Sequence, residues 1–125
     1  MSKSKRYTLT TLAAADLRIA KKWSYSRWGK TLTQQYFSDL HSAAEYIAQH
    51  HSSIGEQEDL AGLAIHPVRE HYIIYVPVAA EHIVIVAFIR QSRDVPAILQ
   101  KSAYMIRREV KEIQNKLRAG KRVIK

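Results

Sequence analysis

The segment His82-Ile83-Val84-Ile85-Val86-Ala87-Phe88-Ile89-Arg90 constrains the fold more than any other stretch of the chain. Seven successive apolar residues from Ile83 to Ile89 leave no face for water, so the segment reads as a strand central in a sheet. It is far too short to span a bilayer, and no membrane association is expected. Two further strands precede it. Leu60 to His66 is one, interrupted or held at an edge by Pro67, which cannot donate to a ladder. His71 to Val76 is the other, closed by a turn expected at Pro77 to Glu81. The connections are short enough for antiparallel neighbours.

Upstream the period changes from two to three and a half. Tyr7-Thr8-Leu9 is a short strand, and Thr10 or Thr11 can cap the helix that follows. Ala13, Leu17, Ala20, Ser24 and Trp28 recur at helical spacing until Gly29 marks a turn. Leu32, Tyr36, Leu40, Ala43 and Ile47 form the stripe of a second helix over about 31–49, giving an antiparallel hairpin. His50 to Asp59 has lost the pattern and reads as a surface loop, with Glu56, Glu58 and Asp59 solvated like Glu45. Downstream, Asp94 can cap a third helix. Its stripe of Val95, Ile98, Leu99, Ser102, Ile106, Val110, Ile113 and Leu117 runs to about residue 118, with Gly120 as a stop.

The order β-α-α-β-β-β-α describes one α+β domain over residues 1–125, a helix hairpin packed on a four-stranded antiparallel sheet with an extended C-terminal helix. The stripe of that last helix is expected to pack on the chain's own sheet, leaving the last ten residues free. The apolar share of 46% suits a folded domain. With no cysteine, disulfide scaffolds, thiolate zinc sites and cysteine nucleophiles are excluded, and a reducing cytoplasm fits. The opening Met1-Ser2-Lys3-Ser4-Lys5-Arg6 leads into Tyr7-Thr8-Leu9-Thr10 rather than a long apolar run, which argues against a signal peptide.

The net charge of +9 is uneven. Residues 1–30 carry eight basic groups and only Asp16; residues 31–100 carry three basic and eight acidic groups. Residues 101–125 carry nine basic groups against Glu109 and Glu112. Basic ends around an acidic middle point to a polyanion or an acidic protein as partner, or to a solvated tail. The basic helical extension over about 100–125 has three readings: it contacts DNA phosphate, binds an acidic protein segment, or extends the fold.

Individual side chains add little chemistry. His50 and His51 are adjacent, with no carboxylate at ligand spacing, so neither a metal nor any other cofactor is expected. His66, His71 and His82 lie on or near strands without an identifiable acid partner, which favours structural roles. Trp23 and Trp28 read as core and turn-packing residues, whereas Tyr25, Arg27 and Lys30 flank the helix turn and are candidates for exposure.

Four ordered segments together resemble the RelE/ParE toxin superfamily of bacterial toxin–antitoxin systems. "YTLTTLAAADL" resembles its opening strand and helix start, and "RWGKTLTQQYFSDL" its Trp-Gly helix turn. "GLAIHPVREHYIIYVP" resembles its Gly-Leu-x-x-x-Pro-Val strand, and "HIVIVAFIRQSRDVPAIL" its last strand with an Arg-Asp ending, here Arg93-Asp94. The resemblance implies a cytoplasmic toxin neutralised by a cognate antitoxin, acidic and ParD-like, in a hetero-oligomer. The family divides between two activities. RelE-type members cut ribosome-bound mRNA, which needs a base for the 2′-hydroxyl, cations for the phosphate and an acid for the leaving oxygen. Here Arg90, Arg93 and His71 would be the catalytic set. Yet Tyr72 stands where RelE-type enzymes commonly carry arginine, and the strands from 60 to 89 hold one basic side chain besides histidine, Arg69. The ParE type fits better. It implies no catalysis but the trapping of cleaved DNA on DNA gyrase, with an indirect DNA contact. Tyr25, Arg27, Lys30, Tyr72, Arg90, Arg93, Arg107 and Arg108 are then the candidates for contact with target or antitoxin.

Overall fold

A computed structural model describes residues 6–54 and 63–118. Four strands, β1 (Tyr7–Leu9), β2 (Ala64–Val68), β3 (His71–Ala79) and β4 (His82–Arg90), form one sheet in the order β1-β4-β3-β2. Three helices accompany them: α1 (Thr11–Ile54), α2 (Val95–Lys101) and α3 (Ala103–Arg118). The loop expected from His50 to Asp59 begins later, because α1 stays helical to Ile54; the rest of that loop, the start of the first expected strand at Leu60 and the stop at Gly120 lie outside the described residues, as do most of the last ten.

The sheet is mixed, not antiparallel. β2–β3 and β3–β4 pair antiparallel, but β1 runs parallel to β4, with Tyr7, Thr8 and Leu9 opposite Ile83, Val84 and Ile85. Short turns account for the antiparallel pairs. Between β1 and its neighbour β4 the chain runs through α1, β2 and β3, and so long a connection permits a parallel pair. Pro67 sits in β2 at the sheet edge, where its missing N–H is tolerated. Pro77 does not open the turn expected there; β3 continues to Ala79, with an irregular register beside Pro77.

β4 is central and buried on both faces. Ile83, Ile85 and Phe88 join a core with Ala13, Ala44, Ile47, Ala48, Ile73 and Tyr75. Val84, Val86, Ala87 and Ile89 join a second core with Val95, Leu99, Ile106, Val110 and Ile113. Strict alternation would put Val86 and Ala87 on opposite faces. The register shift between Ile74↔Ala87 and Tyr75↔Ile85 leaves Val86 as an extra residue, and the bulge turns both side chains toward α2 and α3. The stripe of α3 therefore packs on the chain's own sheet, opposite α1.

α1 breaks at Gly29, whose φ of 83° and ψ of −178° are not helical. Residues from both arms, Ala13 and Leu17 on one and Ala44 and Ile47 on the other, meet in one core, so the chain reverses at the glycine. The continuous C-terminal helix expected from the stripe is two helices, because Ser102 leaves helical geometry. Asp94 caps α2 as expected, its Oδ1 accepting the Ala97 N–H at 3.2 Å.

β1 ends before β4 does, which would leave the outer edge of β4 bare. The first turns of α1 cover it. Thr10 N–H donates to the Ile85 carbonyl at 3.0 Å and Thr10 Oγ1 to the Val86 carbonyl at 3.0 Å. The same hydroxyl caps α1 by accepting the Ala13 N–H at 3.1 Å. Asp16 Oδ2 accepts the Phe88 N–H at 3.1 Å. Side chains thus replace a strand along this edge.

Candidate functional site

The tip of the α1 hairpin, the β2–β3 turn and the end of β4 come together at one end of the sheet. Trp23 lies one helical turn before Arg27, so the Arg27 guanidinium can reach back over its ring, 4.8 Å from the centroid. Arg90, arriving at the end of β4, lies 4.2 Å from the same ring. Edge-on and tilted ring contacts then lead inward. Trp28 meets Trp23 at 5.4 Å and Tyr36 at 5.7 Å, and Tyr36 meets His71 at 5.6 Å. The register of β3 and β4 sets His71 opposite Arg90.

Salt bridges and turn contacts hold the cluster in place. Arg69 Nη2 pairs with Asp39 Oδ2 at 2.6 Å, and Arg90 Nη2 lies 3.9 Å from Glu70. Arg69 takes a positive φ of 54° in the tight β2–β3 turn. Gln91 Nε2 donates to the carbonyls of Arg69 and His71 at 2.9 and 3.0 Å, fixing that turn against β4.

His71 is 4% exposed, and its Nδ1 is hydrogen-bonded with the Tyr36 hydroxyl. Burial pushes its pKa down, the Arg90 charge pushes it further, and Glu70 partly opposes them. The ring is therefore neutral at pH 7. Burial also raises the Tyr36 pKa, so its hydroxyl keeps its proton. Beside this cluster a cleft of about 280 Å³ opens between α1 and the end of β4, with Trp23, Arg90, Arg93 and Asp16 in its walls. Burial raises the Asp16 pKa, against the Phe88 N–H and Arg93, which lower it.

The sequence candidates divide into three groups. Arg27, Arg90 and Arg93 gather around Trp23 and the cleft, with Tyr25 and Lys30 exposed on the same hairpin. Tyr72 does not join them. Its neighbour His71 turns toward Tyr36, and alternation sends Tyr72 to the other face, where it packs against the α2–α3 core. Arg107 and Arg108 are exposed on α3. Trp23 and Trp28 are half-buried at the turn, as expected, but Trp23 also seats two guanidinium groups. Sequence reasoning missed that role, and with it Tyr36, Asp39 and Glu70. The spacing of Trp23 and Arg27 was a usable signal; the partners across the fold had none. Among the described residues, no group of three or more His, Asp or Glu could hold a metal, and no helix is long and apolar enough to cross a membrane.

Residues 7–95 match the family model described as "ParE toxin of type II toxin-antitoxin system, parDE". The chain belongs to this family of ParE toxins. The match takes in all four strands and α1, and stops as α2 begins. Among solved structures, a chain of the "Chromosomal ParDE TA system from P. aeruginosa" shares the fold with a TM-score of 0.57. Identity is 17%, over 70% of this chain and 98% of that one. No curated protein matches the sequence. In this ParE toxin, α3 lies beyond the family match, yet with α2 it covers one face of the sheet.

Proposed function

We propose that this ParE toxin inhibits DNA gyrase by trapping its DNA-cleavage complex, and that a cognate acidic, ParD-like antitoxin neutralises it in a cytoplasmic hetero-oligomer. The family supports an antitoxin-controlled toxin. The observation that favours gyrase over mRNA is the state of His71. A ribonuclease needs a base within hydrogen-bonding reach of a substrate 2′-hydroxyl. His71 is the one histidine facing Arg90 across the sheet, and it is buried with Nδ1 engaged by Tyr36. Arg90 rests on Trp23 beside Glu70, a setting for binding rather than for phosphoryl chemistry.

The mechanism is then one of differential affinity. A toxin that binds the cleaved state of the gyrase–DNA complex better than the resealed state shifts the population toward cleavage, and needs no reaction of its own. We assign target contact to the surface around Trp23, formed by Arg27, Arg90 and Arg93 with Tyr25 and Lys30. Purified toxin should block gyrase supercoiling of relaxed plasmid while leaving messenger intact on translating ribosomes. Normal supercoiling at saturating toxin refutes the reading, and mRNA cuts lost in Arg90→Ala or Arg93→Ala would replace it with the ribonuclease.

A further inference from the structure

A second charged surface lies away from the Trp23 cluster. On the first arm of α1, Arg18, Lys21 and Lys22 are exposed, and on α3 so are Arg107, Arg108 and Lys111. Helical spacing places the α3 cations around Tyr104, itself 70% exposed, on the side opposite the buried Ile106, Val110 and Ile113. The two helices are tied where Glu109 Oε2 accepts the Thr11 N–H at 2.8 Å and the Thr11 hydroxyl at 2.7 Å. Hollows flank this tie on two sides; Arg18 lines one and Arg108 the other. The two cationic groups therefore form a band on either side of this tie, with Glu109 and Glu112 lining the hollows between Arg18 and Arg108.

The acids on these helices do not neutralise it. Residues 11–28 and 103–118 contain only Asp16, Glu109 and Glu112 as acids. Asp16 accepts the Phe88 N–H and Glu109 the Thr11 N–H, and with Glu112 these three acids are outnumbered by the six cations. Among the described residues, none of the six cations takes part in an ion pair. Arg18 stands three and four residues before Lys21 and Lys22, and Lys111 three and four after Arg108 and Arg107. Like charges at these spacings repel and weaken a helix. Glu112, four residues after Arg108, offsets only part of this repulsion, and a polyanion outside would supply the rest.

We infer that this band binds the phosphate backbone of duplex DNA without reading its sequence. An acidic protein segment would want an apolar pocket for an anchor residue, and the outer face of α3 offers Tyr104 among cations. Phosphate contacts require only charge, and a duplex presents a charge about every 1.7 Å along its axis. The activity is separate from the gyrase reading.

The test is fluorescence anisotropy of a labelled duplex of about 20 base pairs with the full chain, titrated between about 50 and 200 mM NaCl. Six phosphate contacts predict a slope of log K against log salt of about −5. The combined variant R107A/R108A/K111A and the combined variant R18A/K21A/K22A should each shrink that slope by about two to three, and R107K/R108K should restore it. Arg108→Ala and Lys22→Ala alone should each remove about one unit, so the result does not hang on the triple variants. Absence of salt-dependent binding, or a slope that neither helix's variants change, overturns the inference. Equal or tighter binding of a labelled polyglutamate peptide at the same salt overturns it in favour of an acidic protein partner. No gyrase is present in this assay, so its failure and a failure of the gyrase reading are distinguishable.

Discussion

Asp16 offers a sharp test of how α1 is fastened to the sheet. Its carboxylate accepts the Phe88 N–H at 3.1 Å, on the stretch of β4 that β1 no longer covers. Asp16→Ala leaves that N–H without an acceptor inside a largely buried residue, which costs about 1–3 kcal/mol. An unfolding entropy of about 2.1 cal/mol/K per residue over 125 residues makes this a fall in Tm of about 4–12 °C. Asp16→Asn should behave differently, because its amide oxygen can still accept. Burial raises the folded-state pKa of Asp16, so the folded protein holds the proton more tightly than the unfolded chain. The stabilisation from that proton is full below the unfolded pKa of 3.8 and is lost as pH rises through the folded pKa. At neutral pH the ionised carboxylate therefore carries a burial penalty that asparagine lacks, and Asn should match or exceed the wild type. Thermal unfolding at pH 7 followed by circular dichroism measures all three proteins. Equal losses in the Ala and Asn variants would refute the argument that the acceptor is what matters.

Other substitutions probe the turn and the cluster. Gly29→Ala meets open space but must hold a positive φ with extended ψ, so backbone strain alone should cost about 1–3 kcal/mol, read as a lower urea midpoint with unchanged slope. The depressed pKa of His71 means the unfolded chain binds its proton first; its share of stability is full above the unfolded value of 6.5 and is lost as pH falls through the folded one. Urea titrations over that window should show a shallower pH dependence in His71→Gln than in the wild type. Trp23→Ala unseats Arg27 and Arg90, two contacts worth about 0.5–1 kcal/mol each, so growth inhibition should weaken by about five- to thirtyfold while Trp23→Phe retains it.

Much of this fold is legible in the sequence because each element carries a local signature. The apolar run 83–89 marks the central strand, Pro67 marks an edge, and Gly29 marks the reversal between two helical stripes. What escapes is whatever depends on partners far along the chain. The parallel pairing of β1 with β4 joins residues more than seventy apart, and nothing local at Tyr7 distinguishes it from an antiparallel edge. The bulge at Val86 hides inside a run where every residue is apolar. The break at Ser102 hides in a stripe that keeps its phase across it. The same distinction governs the site. Arg27, Arg90 and Arg93 stand out as cations near turns, but Trp23 as their seat and Tyr36 as the partner of His71 emerge only once the hairpin folds back onto β4. Tyr72 lies on the opposite face from this cluster, which its position in a strand alone did not reveal.

The most direct test of the account is the state of plasmid DNA after incubation with gyrase, ATP and purified toxin, stopped with detergent and protease. Trapping of the cleavage complex predicts linear plasmid that accumulates with toxin and disappears when gyrase is omitted. Plasmid that stays intact and fully supercoiled, together with new cuts in ribosome-bound mRNA, would contradict it.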